Sequence, residues 1–175
     1  MPDIERKAAV TFKGNPLTLI GPELKVGDKA PDFKALAKDL SEVTLASSKG
    51  KTRLISVVPS LDTPVCEMQT KRFNDEAAKL PAQIAVLTLS MDLPFAQNRF
   101  CATAKADKIQ CLSDHREGSF GKAYGVLIKE LRLLSRAIFV VGPDDKLQYV
   151  EYVKEITQHP AYEKALQSLH AGARR

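Results

Sequence analysis

The sequence predicts an α/β domain built on a central mixed sheet, flanked by helices and preceded by a β-hairpin, and three observations carry that reading. Leu54-Ile55-Ser56-Val57-Val58 and Ile84–Ser90 are continuous apolar runs separated by a helical stretch at 67–80. That is the pattern of two buried parallel strands joined by a crossover helix, expected to be right-handed. Ala137–Val141 and the alternating run 147–153 flank Gly142-Pro143-Asp144-Asp145-Lys146, a strong hairpin signal. After His159-Pro160 a closing helix is expected over 161–169.

A parallel βαβ unit followed by an antiparallel hairpin and a terminal helix is the thioredoxin-like order. The remaining elements fit around it. The segments 9–12 and 17–20 flank Lys13-Gly14-Asn15-Pro16 and read as an N-terminal hairpin appended to the main fold. Short strands are expected at 34–37 and 43–45. Asp92-Leu93-Pro94 opens a second helix, with an acidic cap and an early proline, that carries Phe95, Phe100 and Cys101. A third helix is expected at Ser119–Tyr124. No repeat, linker or low-complexity segment interrupts the chain, so residues 1–175 are read as one domain.

Composition narrows the functional classes. With 44% hydrophobic and 27% charged residues the chain has an ordinary globular make-up. It has no apolar run of membrane-spanning length, and Met1-Pro2-Asp3-Ile4-Glu5-Arg6-Lys7 lacks the apolar core of a secretory signal, which points to the cytoplasm and away from a membrane. The net charge of +5 is spread among alternating acids and bases, with Arg174-Arg175 the one basic cluster free of acidic neighbours, so nucleic acid is not expected as a partner. Three cysteines without a secretion signal speak against a structural disulfide framework.

The rest of the chain is organised around Pro59-Ser60-Leu61-Asp62-Thr63-Pro64-Val65-Cys66, a turn between the first buried strand and its helix. Thr63 is a good N-cap, and Pro64 at the first helical position has the backbone angle a helix start requires. Cys66 then falls at the third helical position, where a capping box carries Glu or Gln. Free N–H groups and the positive end of the helix dipole favour a thiolate there, and the thiolate is the reactive form. A buried apolar filler is the competing reading of any free cysteine.

Pro59, Thr63 and Cys66 match the Pro-x-x-x-Thr-x-x-Cys signature of the peroxiredoxins. The longer string through Cys66, with Phe73-Asn74 beyond it and Glu155-Ile156-Thr157 near the end, resembles the thiol peroxidase branch, the atypical two-cysteine peroxiredoxins. The resemblance implies that Cys66 is the peroxidatic thiol. It also implies that Cys101, in Phe95-Ala96-Gln97-Asn98-Arg99-Phe100-Cys101, is the resolving thiol; on its residues alone Cys101 reads as a buried helix cysteine. Arg136, in Leu133-Leu134-Ser135-Arg136-Ala137, stands where this branch carries its active-site arginine, with Arg132 as the rival. Thr63 gains the role of bonding the reacting oxygens. Pro59 gains that of shielding the thiolate; otherwise it is a strand terminator. The implied activity is reduction of hydrogen peroxide and organic hydroperoxides through a Cys66 sulfenic acid and a Cys66–Cys101 disulfide. Thioredoxin is the implied reductant, the implied assembly is a homodimer, and no cofactor is called for.

Cys111, with His115 four residues on, invites a metal reading, but a structural zinc site needs four ligands, no Cys-x-x-Cys is present, and His159 and His170 are isolated. Cys111 therefore reads as a spectator thiol and no metal is expected. A disulfide oxidoreductase is disfavoured because this helix starts Thr63-Pro64-Val65-Cys66, without a second cysteine. A non-enzymatic redox sensor, in which oxidation of Cys66 switches a binding surface, is the rival from another class.

Overall fold

The computed structural model describes residues 3–172, so Arg174-Arg175 lies outside the described residues. Seven strands form the central sheet in the order β10-β9-β5-β6-β7-β3-β4. They are β3 (Lys34–Leu36), β4 (Glu42–Thr44), β5 (Thr52–Val57), β6 (Ile84–Ser90), β7 (Gln110–Ser113), β9 (Ala137–Val141) and β10 (Leu147–Tyr152). β5, β6 and β7 run parallel, while β9 pairs antiparallel with β5 and β3 antiparallel with β7. The helices are α1 (Pro64–Ala77), α2 (Pro94–Ala104), α3 (Ser119–Tyr124) and α4 (Tyr162–Gly172). This is the expected thioredoxin-like fold, with one parallel strand more than the sequence pattern revealed. Among the described residues no helix is long and apolar enough to cross a membrane.

Alternation along the central strands divides the core into two layers. Ile55, Val57, Leu87, Leu89, Phe139 and Val141 face one side, where they pack with Phe120 and Tyr124 of α3. Leu54, Val86, Ile138 and Val140 face the other, against Phe73 of α1 and Ala165, Leu166 and Leu169 of α4. The continuous apolar runs are explained by this: with both faces covered, both sets of alternate residues are mainly apolar, with Ser56 and Thr88 as buried polar exceptions within them. Phe73 is fully buried, and its ring meets Tyr162 of α4 edge-on at 5.5 Å between centroids. Burying such a side chain stabilises the fold by about 1.5–3 kcal/mol and fixes α1 against the sheet.

The N-terminal hairpin consists of β1 (Glu5–Phe12) and β2 (Asn15–Ile20), joined by Lys13 and Gly14, both at positive φ. Two consecutive left-handed residues make the turn whose twist suits a two-residue hairpin. A third strand, β8 (Leu127–Ile128), pairs with β2. Glu155 ties the hairpin to the far end of the chain: its carboxylate accepts from the Gly14 N–H, the Thr11 hydroxyl, and the Thr157 N–H and hydroxyl. Those bonds, led by that of the Thr157 hydroxyl, pull its pKa down to about 2.

A carboxylate depressed in the folded state contributes stability above its unfolded pKa and loses it as pH falls. The tie is therefore complete above pH ~4.5 and lost toward pH ~2. Protection of the Gly14 amide, corrected for intrinsic exchange, is expected to fall across that window. In Glu155→Gln the change is expected to disappear; a pH response retained in that variant counts against the tie.

Candidate active site

Cys66 is fully buried in the first turn of α1. Thr63 is the N-cap, in extended backbone, and its Oγ1 accepts from the Cys66 N–H at 3.3 Å, with Pro64 opening the helix. Replacing such a cap by alanine typically costs about 1 kcal/mol. The Thr63 hydroxyl in turn donates to the Ser60 carbonyl at 3.4 Å. Pro59 is buried in the turn, between Val58 and Ser60. Val58 and Leu61 form the apolar cluster that holds Cys66, with Phe100 and Cys111 packed against it.

Arg136 supplies the positive charge. It lies immediately before β9, is 2% exposed, and donates from Nη2 to Cys66 Sγ at 3.2 Å. Two further donors anchor it: Nη1 to Gln69 Oε1 at 2.8 Å and Nε to the Ile156 carbonyl at 3.0 Å. Gln69 is one turn beyond Cys66 on α1, and its Nε2 donates to Ser56 Oγ of β5 at 2.7 Å. A planar guanidinium anchored at two corners aims its third contact rigidly, which a flexible ammonium cannot do. Arg132, the alternative, is exposed with positive φ at the other end of the segment.

One residue joins the site in a role other than the one read from the sequence. Asp92 was expected to cap α2, yet the N-cap is Leu93, with no side-chain hydrogen bond. The Asp92 carboxylate instead accepts from Ser60 Oγ and the Leu61 N–H, each at 2.7 Å, and from Ser90 Oγ at 2.8 Å. It therefore fastens the Cys66 turn to the end of β6, because three donors at one carboxylate outweigh a single helix cap. Gln69, Ser56, Asp92 and the Ile156 carbonyl are the members of the site that sequence reasoning missed. Only Gln69 left a signal, as a polar residue three positions from Cys66 on the helix face turned to the sheet.

All three cysteines are free thiols. The structure brings Cys66, Thr63 and Arg136 together, while Cys101, on α2, faces Cys111 of β7 with 2.9 Å between sulfurs. The hydrogen bond from Cys111 and, more weakly, the charge of Lys38 draw the Cys101 pKa down against the opposing effect of burial. The Cys111 pKa is pushed far up, first by holding the shared proton and then by burial. A cleft of about 560 Å³ opens over both sulfurs, lined also by Lys38, Asn98 and Ala102.

Comparison with known proteins agrees with this arrangement. The redoxin family model matches residues 25–166. The thiol peroxidase of Halalkalibacterium halodurans is 63% identical over 164 residues, 94% of this chain and 98% of that protein. The thiol peroxidase of Bacillus subtilis is 56% identical over 164 residues with the same coverage. The crystal structure of a peroxiredoxin-like protein from Aquifex aeolicus superposes with a TM-score of 0.86 at 43% identity, covering 94% of this chain and 98% of that one. With a family model covering most of its length and relatives of this identity, the chain belongs to the redoxin family, in its thiol peroxidase branch.

Proposed function

We propose that this chain is a thiol-dependent peroxidase that reduces hydrogen peroxide and organic hydroperoxides, with Cys66 as the peroxidatic and Cys101 as the resolving thiol. The observation that carries this reading is the Arg136 Nη2 to Cys66 Sγ contact of 3.2 Å at a helix start capped by Thr63. The Cys66 thiolate attacks the near peroxide oxygen, the O–O bond breaks, and the far oxygen leaves as water or alcohol after taking a proton. Arg136 holds the attacking sulfur and the oxygen that accumulates charge. The Thr63 hydroxyl turns from the Ser60 carbonyl to the peroxide, and Pro59 keeps bulk water off the sulfur. Cys101 then attacks the sulfenic sulfur, expelling water and forming the Cys66–Cys101 disulfide.

Thioredoxin is the proposed reductant, through the partly exposed Cys101 side of the bond. The proposed assembly is a homodimer in the cytoplasm. Met68, Leu93 and Phe95, on α1 and at the start of α2, are large apolar side chains left more than half exposed; such surface is expected to find a partner. The test is NADPH oxidation coupled through thioredoxin reductase and thioredoxin. Sustained turnover supports the enzyme. Consumption that stops at one peroxide per chain, with thioredoxin present, supports the sensor instead.

Formation of the Cys66–Cys101 disulfide requires local unwinding. Both cysteines sit within intact helices, and a disulfide needs Cα atoms within roughly 7 Å with aimed Cβ vectors, which packed helices rarely supply. In the Cys66–Cys101 form the amides of residues 67–69 and 97–102 are expected to lose hydrogen-exchange protection relative to the reduced protein. Equal protection in the two forms contradicts the unwinding.

A further inference from the structure

We propose that Cys111 is a second resolving thiol, which takes Cys101 out of the Cys66–Cys101 disulfide and leaves the oxidised chain with a Cys101–Cys111 disulfide facing the cleft. This rests on the Cys66–Cys101 step proposed above. In the exchange, Cys111 releases its proton to solvent and its sulfur attacks Cys101 Sγ. The bond between Cys66 and Cys101 breaks, its electron pair leaves on Cys66, and the bond between Cys101 and Cys111 forms. No oxidant or reductant enters, because the disulfide moves from one pair to the other.

Three features of the structure favour this direction. Cys101 and Cys111 already stand with sulfurs 2.9 Å apart in the intact fold, across the contact of α2 with β7, so their bond calls for no unwinding of either helix. The leaving sulfur returns to a prepared place, with the Arg136 Nη2 donor and the capped start of α1 waiting for it. A leaving thiolate stabilised in this way departs faster. Finally, the proton that Cys111 holds in the resting state is held first of all by its hydrogen bond to Cys101, reinforced by burial and by the charges of Cys101 and Asp92. Once Cys101 is bound in a disulfide, both Cys101 contributions vanish, and Cys111 becomes easier to ionise at the moment its nucleophilicity is needed.

The exchange has two consequences. The disulfide is handed to the reductant from the cleft lined by Lys38 and Asn98 instead of from the buried Cys66 pocket. Cys66 is also restored as a thiolate before any reductant arrives, so the chain can accept a second peroxide.

Trypsin separates the three thiols, since residues 54–71, 100–105 and 109–116 are distinct peptides with one cysteine each. Reduced protein is mixed with one equivalent of hydrogen peroxide, quenched in acid at increasing times, alkylated and mapped without reduction. The 54–71/100–105 link is expected first and the 100–105/109–116 link after it, while Cys66 becomes alkylatable again. Cys111→Ser is expected to stop at the first link. With excess peroxide and no reductant, the wild-type burst is expected to exceed that of Cys111→Ser by about twofold. Persistence of the first link in the wild type, with Cys111 alkylatable, overturns the inference and leaves the proposed function standing. So does prompt formation of the second link in Cys66→Ser, where no relay can operate. Absence of the first link in both wild type and Cys111→Ser overturns the function and the inference together.

Discussion

Cys66→Ser is expected to reduce thioredoxin-coupled peroxide turnover to the uncatalysed background, a loss on the order of 10³-fold or more, as for removal of a nucleophile elsewhere. The effect is predicted to be chemical. Serine fits the fully buried site almost isosterically, keeps its N–H bonded to Thr63, and presents an oxygen that Arg136 can still hold. A hydroxyl at that place is not ionised at neutral pH and does not open an O–O bond. Circular dichroism and the thermal midpoint are expected to stay close to wild type. Residual turnover within tenfold of wild type would remove Cys66 from the mechanism.

Arg136→Met is expected to act on both chemistry and folding. The guanidinium is the donor to Cys66 Sγ, Gln69 Oε1 and the Ile156 carbonyl. Taking a preorganised donor from a reacting centre costs about 10²–10³ in rate. The first, peroxide-dependent phase in stopped flow is expected to slow by that factor, and iodoacetamide alkylation at neutral pH to slow with it. Gln69 and the Ile156 carbonyl are left as buried acceptors without donors, each costing about 1–3 kcal/mol, so urea midpoints are expected to fall as well. Arg136→Lys separates the two effects, because it keeps the charge and loses the fork; its rate is expected between those of wild type and the methionine variant. An unchanged first phase in Arg136→Met would assign the residue a purely structural role.

Local chemistry made much of this legible. Thr63-Pro64-Val65-Cys66 specifies its own helix start whatever surrounds it, and the structure has that cap with Cys66 at the third helical position. Ile84–Ser90, Ser119–Tyr124 and Ala137–Val141 are found with the expected bounds, because burial on both faces or a short turn-bounded helix leaves a strong local pattern. What escaped depends on partners distant in sequence. β7 is four residues, Gln-Cys-Leu-Ser, whose strand character comes from lying beside β6. The reassignment of Asp92 requires the Ser60 turn to be folded next to it, and the Gln69–Arg136–Ile156 chain joins three separated segments. The contact of Cys101 with Cys111 follows from α2 packing on β7, so reading Cys111 from its own neighbours could not reveal it.

The uncapped first turn of α2 bears on how long the oxidised enzyme would remain vulnerable. The first turn has no side-chain cap, whereas the last turn is closed by Lys105 in the left-handed conformation, with the Lys105 and Ala106 N–H groups bonded to the Ala102 and Cys101 carbonyls. A helix without an N-terminal side-chain cap opens more readily from that end. In the proposed cycle, the lifetime of the Cys66 sulfenic acid is set by a race between that opening and a second peroxide, which would carry the sulfur irreversibly to the sulfinic state. A stiffer start to α2 would lengthen the wait and turn a robust scavenger into one that inactivates during an oxidant surge. On the proposed cycle the missing N-terminal cap is a kinetic safeguard, and adding one would make the protein firmer and its service life shorter.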